Sequence, residues 1–202
     1  MTRIKLCGLS RACDIEAANE IRPDYVGFVF AAGSRRCVSP GRAAELKKLL
    51  DVQIRAVGVF VDEEPEQVAE LLESGVIDLA QLHGREDAAY IKRLRLLTKK
   101  PLIQAFRVET ERDTARAEDS AADFILLDSG AGGGRPFDWN LLKNIRRPFF
   151  LAGGLDEGRA ALAVRTRHPY GVDVSSGIET DGWKDKKKMA AFAAVVRKEE
   201  GR

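Results

Sequence analysis

"PFFLAGGLDEGRAALAVRTRHPYGVDVSSG", Pro148 to Gly177, holds two short apolar runs, each closed by small residues, with a segment of helical periodicity between them. Such a run is short enough for a buried strand, and a helical crossover of this length brings the next strand back parallel to the first.

The pattern extends over the rest of the chain. Strand candidates are "RIKLC" from Arg3, "DYVGFVF" from Asp24, "IRAVGVFV" from Ile54, "DLAQLH" from Asp78, "PLIQAFRV" from Pro101 and "DFILLD" from Asp123. With "PFFLAG" from Pro148 and "GVDVSS" from Gly171 they number eight. Helix candidates lie between them. "PGRAAELKKLL" from Pro40 and "PEQVAELLES" from Pro65 carry proline in the first turn, where its missing N–H costs nothing. In the last, "KDKKKMAAFAAVVRK", Met189, Phe192, Val195 and Val196 form a core-facing stripe, and the Lys186 to Lys188 run reads as a solvated face. Strict alternation of strand and helix implies a parallel sheet covered by helices, and eight units close into a (β/α)8 TIM barrel. An open doubly wound sheet is the alternative, but its phosphate-binding glycines follow the first strand, whereas here they follow the seventh and eighth. No break in composition marks a second domain, so residues 1–202 are expected to form one catalytic barrel.

Thirty-three Lys and Arg against 31 Asp and Glu leave a net charge of +2, which gives no overall field for nucleic acid or an anionic membrane. No apolar stretch approaches the roughly 18 residues of a membrane span, and the N-terminus does not resemble a signal peptide. Cys7, Cys13 and Cys37 form an odd set without C-x-x-C pairing, which fits a reducing cytoplasm and leaves Cys7 a free thiol. With only His83 and His168, and no carboxylate at ligand spacing, no metal site is expected.

In a barrel the reactive groups gather at the C-terminal ends of the strands. Here those ends offer Cys7, the loop with Arg35 and Arg36, Gln81 with His83, Asp128, Gly153 with Gly154, and Ser175 with Ser176. Backbone amides of small residues on the last two loops suit a phosphate group. A thiol and a carboxyl over one mouth can divide base and acid duties, although a free cysteine is commonly a small buried hydrophobe and Asp128 can serve as a turn residue. Arg36 suits a bidentate carboxylate partner, against the plainer reading of a solvated loop arginine. Gln81 and His83 alternate onto one face, where His83 is either a polar substrate contact or a structural hydrogen bonder. Alternation also puts Lys5 and Cys7 on one face of the first strand and Asp173 and Ser175 on one face of the eighth. These strands are neighbours in a closed barrel, so Lys5 and Asp173 are expected to pair in the interior, with Lys5 secondarily favouring a Cys7 thiolate.

"KLCGL" at Lys5, "GFVF" through "SRRCVSP" from Gly27 to Pro40, "VGVFV" at Val57 and "QLHG" at Gln81 occur in that order. "LLDS" to "FDW" from Leu126 to Trp139, "LAGGL" at Leu151 and "DVSSGIE" to "GWKD" from Asp173 to Asp185 complete the series. Together they resemble the phosphoribosylanthranilate isomerase family of tryptophan biosynthesis almost end to end. The resemblance implies an Amadori rearrangement of a small phosphosugar-anthranilate substrate, N-(5-phosphoribosyl)anthranilate, to 1-(2-carboxyphenylamino)-1-deoxyribulose 5-phosphate, with no cofactor and no metal. It implies Asp128 as general acid, Cys7 as general base, Arg36 for the anthranilate carboxylate, and Gly154, Ser175 and Ser176 in the phosphate cradle. Where the family usually has S-P-R this chain has Ser34-Arg35-Arg36, which makes Arg35 a second candidate for the carboxylate. Ala131 and Gly133 stand where the family has Gly and Thr or Ser. The related isomerase of histidine biosynthesis typically pairs two aspartates, so Cys7 argues against it. Intact Cys7 and Asp128 likewise argue against an idle phosphosugar-binding barrel.

Overall fold

A computed structural model describes residues 1–129 and 138–201. In chain order the elements are β1 (Arg3–Cys7), α1 (Ala12–Ile21), β2 (Tyr25–Val29), α2 (Pro40–Leu49), β3 (Arg55–Phe60), α3 (Pro65–Glu73), β4 (Leu79–Leu82) and α4 (Ala88–Leu97). There follow β5 (Leu102–Arg107), α5 (Glu111–Glu118), β6 (Phe124–Asp128), β7 (Phe149–Leu151), α6 (Glu157–Arg167), β8 (Gly171–Val174) and α7 (Lys186–Glu199). All eight strands are parallel, and β8 pairs back onto β1 to close the barrel. Each falls within its sequence-read run, because runs rich in Val, Ile, Leu and Phe bury both faces of a parallel strand.

Local chemistry starts the helices as the sequence suggests. Ser39 Oγ accepts from the Arg42 amide ahead of Pro40, and Asp87, Asp156 and Asp185 cap α4, α6 and α7 in the same way. One crossover differs from the expected pattern. Between β6 and β7 the described residues hold a six-residue 3-10 helix, Trp139–Asn144, instead of an α-helix. Pro148 disfavours helical backbone at the residue before it. That residue, Arg147, is committed elsewhere: its guanidinium donates to the Ser120 and Ala122 carbonyls and ties the start of β7 to the turn before β6.

Two apolar layers surround the strands. The outer one lies between sheet and helices, where Met189, Phe192 and Val196 of α7 are buried and Val195 is half-buried. The inner one fills the barrel with Tyr25, Val57, Leu79, Ile103, Leu126 and Phe150, as expected of a packed barrel interior. At its lower end the Tyr25 and Tyr170 hydroxyls meet at 3.0 Å. Cys7, Val29 and Val59 cluster toward the strand C-termini. Among the described residues no helix is long and apolar enough to cross a membrane.

The interior also contains the expected ion pair. Lys5 and Asp173 face each other in register, with Lys5 Nζ 2.9 Å from Asp173 Oδ2 and side chains 0% and 8% exposed. Burial alone would discharge Lys5, but Asp173 and Cys7 outweigh it and hold the ammonium above its ordinary pKa. Removing one member of such a pair strands the other charge. Lys5→Met is therefore expected to cost about 3 to 5 kcal/mol of stability in urea unfolding at neutral pH. Because the folded pKa is raised, this contribution is complete below the unfolded lysine pKa of about 10.4 and disappears as pH rises through the folded value. The gap between parent and variant should narrow in strong alkali, as pH rises through the folded value and the parent loses the charge on Lys5. A variant as stable as the parent at pH 7 would show the pair to be dispensable.

Candidate active site

Cys7 ends β1 inside the mouth of the barrel and is 8% exposed. It faces Gly27 of β2 in register, and a Cβ at position 27 would stand 2.6 Å from the thiol sulfur. Glycine there makes room for the thiol. Burial pushes the thiol pKa up, and the negative charge of Asp173 adds to it. Lys5 pulls the other way by charge and by hydrogen bonding, and Lys184 adds to that pull, without reversing the direction. The Lys5 ammonium is thus the partner of Asp173 read from the sequence, and its charge opposes the upward shift of Cys7 without reversing it.

Gly8, next in the chain, has φ +81, and a Cβ there would lie 2.5 Å from Arg36 Cδ and 3.3 Å from Ser175 Oγ. A residue with a side chain would be strained in that conformation and would also collide with the arginine stem. Arg36 therefore crosses the mouth directly over the residue after Cys7. Ser175 Oγ donates to the Cys7 carbonyl at 3.1 Å, tying the end of β8 to the end of β1.

The Arg36 guanidinium is engaged by Glu179: Nε donates to Oε1 at 2.6 Å and Nη2 to Oε2 at 2.9 Å. Arg35 also donates to Oε2, and Lys184 Nζ donates to Oε1 at 2.6 Å. Arg35 is 60% exposed and Arg36 23%, so of the two arginines it is Arg36 that turns into the mouth. Desolvation pushes the Glu179 carboxyl up, but hydrogen bonds and charge from Arg36 and Lys184 outweigh it and bring the pKa down to about 2. Lys184 is pulled down by burial, which Glu179 opposes. Its ammonium also donates to the Ser175 carbonyl at 2.9 Å.

Sequence reading missed Glu179 and Lys184. They face each other across an antiparallel hairpin, β9 (Glu179–Thr180) and β10 (Trp183–Lys184). Its two-residue turn, Asp181-Gly182, has φ of 50 and 83. Asp-Gly is the common signature of such a turn, and with Glu179 and Lys184 at equal distances on either side it was the available signal. Arg11 holds the hairpin to the barrel, stacking over Trp183 at 4.9 Å and donating to the Lys184 carbonyl. The Lys186 to Lys188 run is exposed, as read from the sequence, and from it Lys188 Nζ donates to the Glu179 carbonyl at 2.7 Å while Lys186 pairs with Glu20.

Across the mouth Asp128 ends β6, with His83 Nε2 3.5 Å from its Oδ2. Gln81 Nε2 lies 2.8 Å from His83 Nδ1. With the Gln81 amide donating, the histidine proton sits on Nε2 and points toward the carboxylate. Gly153 backs the other side of Asp128: its φ is +88, and a Cβ there would come within 2.6 Å of Asp128 Oδ1. The amides of Gly153 and Gly154 donate to none of the described residues. Ser176 opens a 3-10 turn, Ser176–Ile178, and at Gly177 a Cβ would strike the Leu155 carbonyl, so the loops after β7 and β8 pack tightly together. The amides of Gly153 and Gly154, free among the described residues and close before the N-terminus of α6, form a setting for an anion.

The predicted residues Cys7, Arg36, Gln81, His83, Asp128, Gly153, Gly154, Ser175 and Ser176 thus all belong to one rim. Of the loop after Asp128, residues 130–137, including Ala131 and Gly133, lie outside the described residues.

A family model described as N-(5'phosphoribosyl)anthranilate (PRA) isomerase matches residues 4–195. The N-(5'-phosphoribosyl)anthranilate isomerase of Endomicrobium trichonymphae is 45% identical, over 98% of this chain and 99% of its own length. Among solved structures, the phosphoribosyl anthranilate isomerase of Thermotoga maritima is 34% identical with a TM-score of 0.90, covering 98% of this chain and 100% of that one. A phosphoribosyl anthranilate isomerase in complex with reduced 1-(o-carboxyphenylamino)-1-deoxyribulose 5-phosphate is 34% identical with a TM-score of 0.88, at the same coverage.

Proposed function

The chain belongs to the N-(5'-phosphoribosyl)anthranilate isomerase family, whose reaction in tryptophan biosynthesis is its activity, and from that premise we propose that Cys7 is the general base and Asp128 the general acid. The observation that carries this reading is the convergence on one rim of a thiol, a carboxyl, an inward arginine and two amide-bearing glycine loops.

In this reading the substrate phosphate takes the amides of Gly153 and Gly154 together with Ser175 and Ser176. Its anthranilate carboxylate takes Arg36, and Gln81 and His83 contact the ribose between them. Two anions held at opposite ends orient the sugar between acid and base, which converts a loose encounter into a positioned one. Asp128 delivers its proton to the furanose ring oxygen. The C1–O bond breaks, and the anilino nitrogen lone pair forms the C1=N bond of a protonated Schiff base. Cys7 as thiolate then removes the proton from C2, and the C2–H electrons form the C1=C2 bond of an enolamine as nitrogen recovers its lone pair. Loss of the C2 hydroxyl proton and protonation at C1 give the ketone. The cation formed at ring opening sits close to the thiol and favours its charged form, supplementing Lys5 and Lys184 against the cost of burial. Residues 1–202 act in this as one catalytic domain, in a reducing cytoplasm that keeps Cys7 free.

The direct test is the fluorescence decay of freshly generated phosphoribosylanthranilate with the purified protein. Decay well above the uncatalysed rate, with formation of the ribulose product, is the expected result. Decay no faster than without enzyme, from a folded protein, would remove the catalytic assignment.

A further inference from the structure

Glu179 holds Arg36 in a way that leaves a defined part of the guanidinium for a ligand. A guanidinium offers two bidentate edges, the side edge of Nε with one Nη and the end edge of both Nη atoms. Glu179 occupies the side edge through Nε and Nη2. Among the described residues Nη1 has no acceptor, and the side chain keeps 23% of its surface exposed. The stem packs closely over Gly8, with Arg36 Cδ 2.5 Å from where a Cβ there would stand. The guanidinium is therefore packed at its root over Gly8 and held along one edge by Glu179. Glu179 is in turn held by Lys184, Arg35 and, through its carbonyl, Lys188.

We propose that Glu179 is a positioning residue that sets where on the aromatic ring a substrate carboxylate is accepted, by confining Arg36 to its end edge above the residue next to Cys7. The proposal rests on the assignment of Arg36 to the substrate carboxylate. A carboxyl ortho to the reacting nitrogen meets the fixed edge, whereas a meta carboxyl points past it. Without Glu179 the side edge opens and the guanidinium can turn, so a misplaced carboxylate finds a partner. Removing Glu179 also leaves three cations less compensated, which strengthens the binding of every anion. That contribution is common to both isomers and cancels in their affinity ratio.

The test uses three ribitol 5-phosphates, bearing at C1 an o-carboxyphenylamino, an m-carboxyphenylamino or an unsubstituted phenylamino group. Each is titrated by calorimetry into the parent, Glu179→Gln, Glu179→Asp and Arg36→Met. The ortho-to-meta ratio is expected to fall about tenfold in Glu179→Gln, on the scale of one charge-assisted hydrogen bond, while affinity for the phenyl compound stays within about threefold. Glu179→Asp keeps the charge that compensates the cluster but withdraws the carboxylate by one methylene, and the same fall is expected. An unchanged ratio in both Glu179 variants overturns the proposal, and with a selective loss of the ortho ligand in Arg36→Met it leaves the role of Arg36 standing. No selective loss in Arg36→Met removes the carboxylate assignment and the proposal with it. Equal losses for all three ligands in both Glu179 variants make Glu179 a scaffold residue and overturn the proposal as well.

Discussion

Cys7→Ala is expected to lower kcat about 10³-fold, within the usual span for loss of a general base, while the affinity for the phosphate-bearing product analogue changes by no more than about threefold. The substitution removes one buried sulfur beside Gly27, so the fold should survive with a small loss of stability. The parent enzyme carries a second signature of the thiol. A base works deprotonated, and burial lifts this thiol above its ordinary pKa despite Lys5 and Lys184. Because Asp128 must hold its proton while Cys7 has lost its own, kcat/KM of the free enzyme should follow a bell in pH, with one limb belonging to the thiol. Cys7→Asp supplies a base of lower intrinsic pKa at the same strand end. It should recover part of the activity lost in Cys7→Ala and move the limb that belongs to the thiol to lower pH. Cys7→Ala turnover within tenfold of the parent would assign the C2 proton to another group.

Much of this architecture was legible because it follows from short-range pattern. Eight apolar runs followed by glycine-bearing or polar loops read as strands, since a buried parallel strand needs little more than apolar, β-branched content and a terminator. The Lys5–Asp173 pair, 168 residues apart in sequence, was accessible because alternation fixes which side chains face inward and barrel closure makes β1 and β8 neighbours. The hold of Glu179 on Arg36 was not accessible in this way. It joins a loop after β2 to a hairpin after β8, and neither segment has a period that dictates where its side chains point. The bland reading of a solvated loop arginine failed for the same reason. The crossover after β6 departs from plain alternation in the described residues, which hold a 3-10 turn ahead of Pro148. Gly8 and Gly27 were visible as glycines in the sequence, but what each makes room for, Arg36 and the Cys7 thiol, emerges only in three dimensions.

Asp128→Asn, the complementary substitution, is expected to lower kcat by about 10²- to 10⁴-fold with phosphate affinity nearly intact. Asparagine keeps the shape required beside Gly153 and His83 but carries no carboxyl proton to deliver. The two variants should differ in which step they slow, and substrate deuterated at C2 separates them. If Asp128 serves ring opening, that step becomes limiting in Asp128→Asn and the C2 isotope effect vanishes. Cys7→Asp, with its ring-opening acid in place and a poorer match of base to proton, should express the isotope effect fully. A thermal unfolding midpoint close to the parent's keeps the comparison chemical, since a disturbed β6 would lower rate and affinity together. A large isotope effect in Asp128→Asn would mean that the ring opens without the carboxyl and that Asp128 acts at C2. The thiol of Cys7 would then be left with the ring oxygen, a role its upward-shifted pKa suits, because burial keeps it protonated.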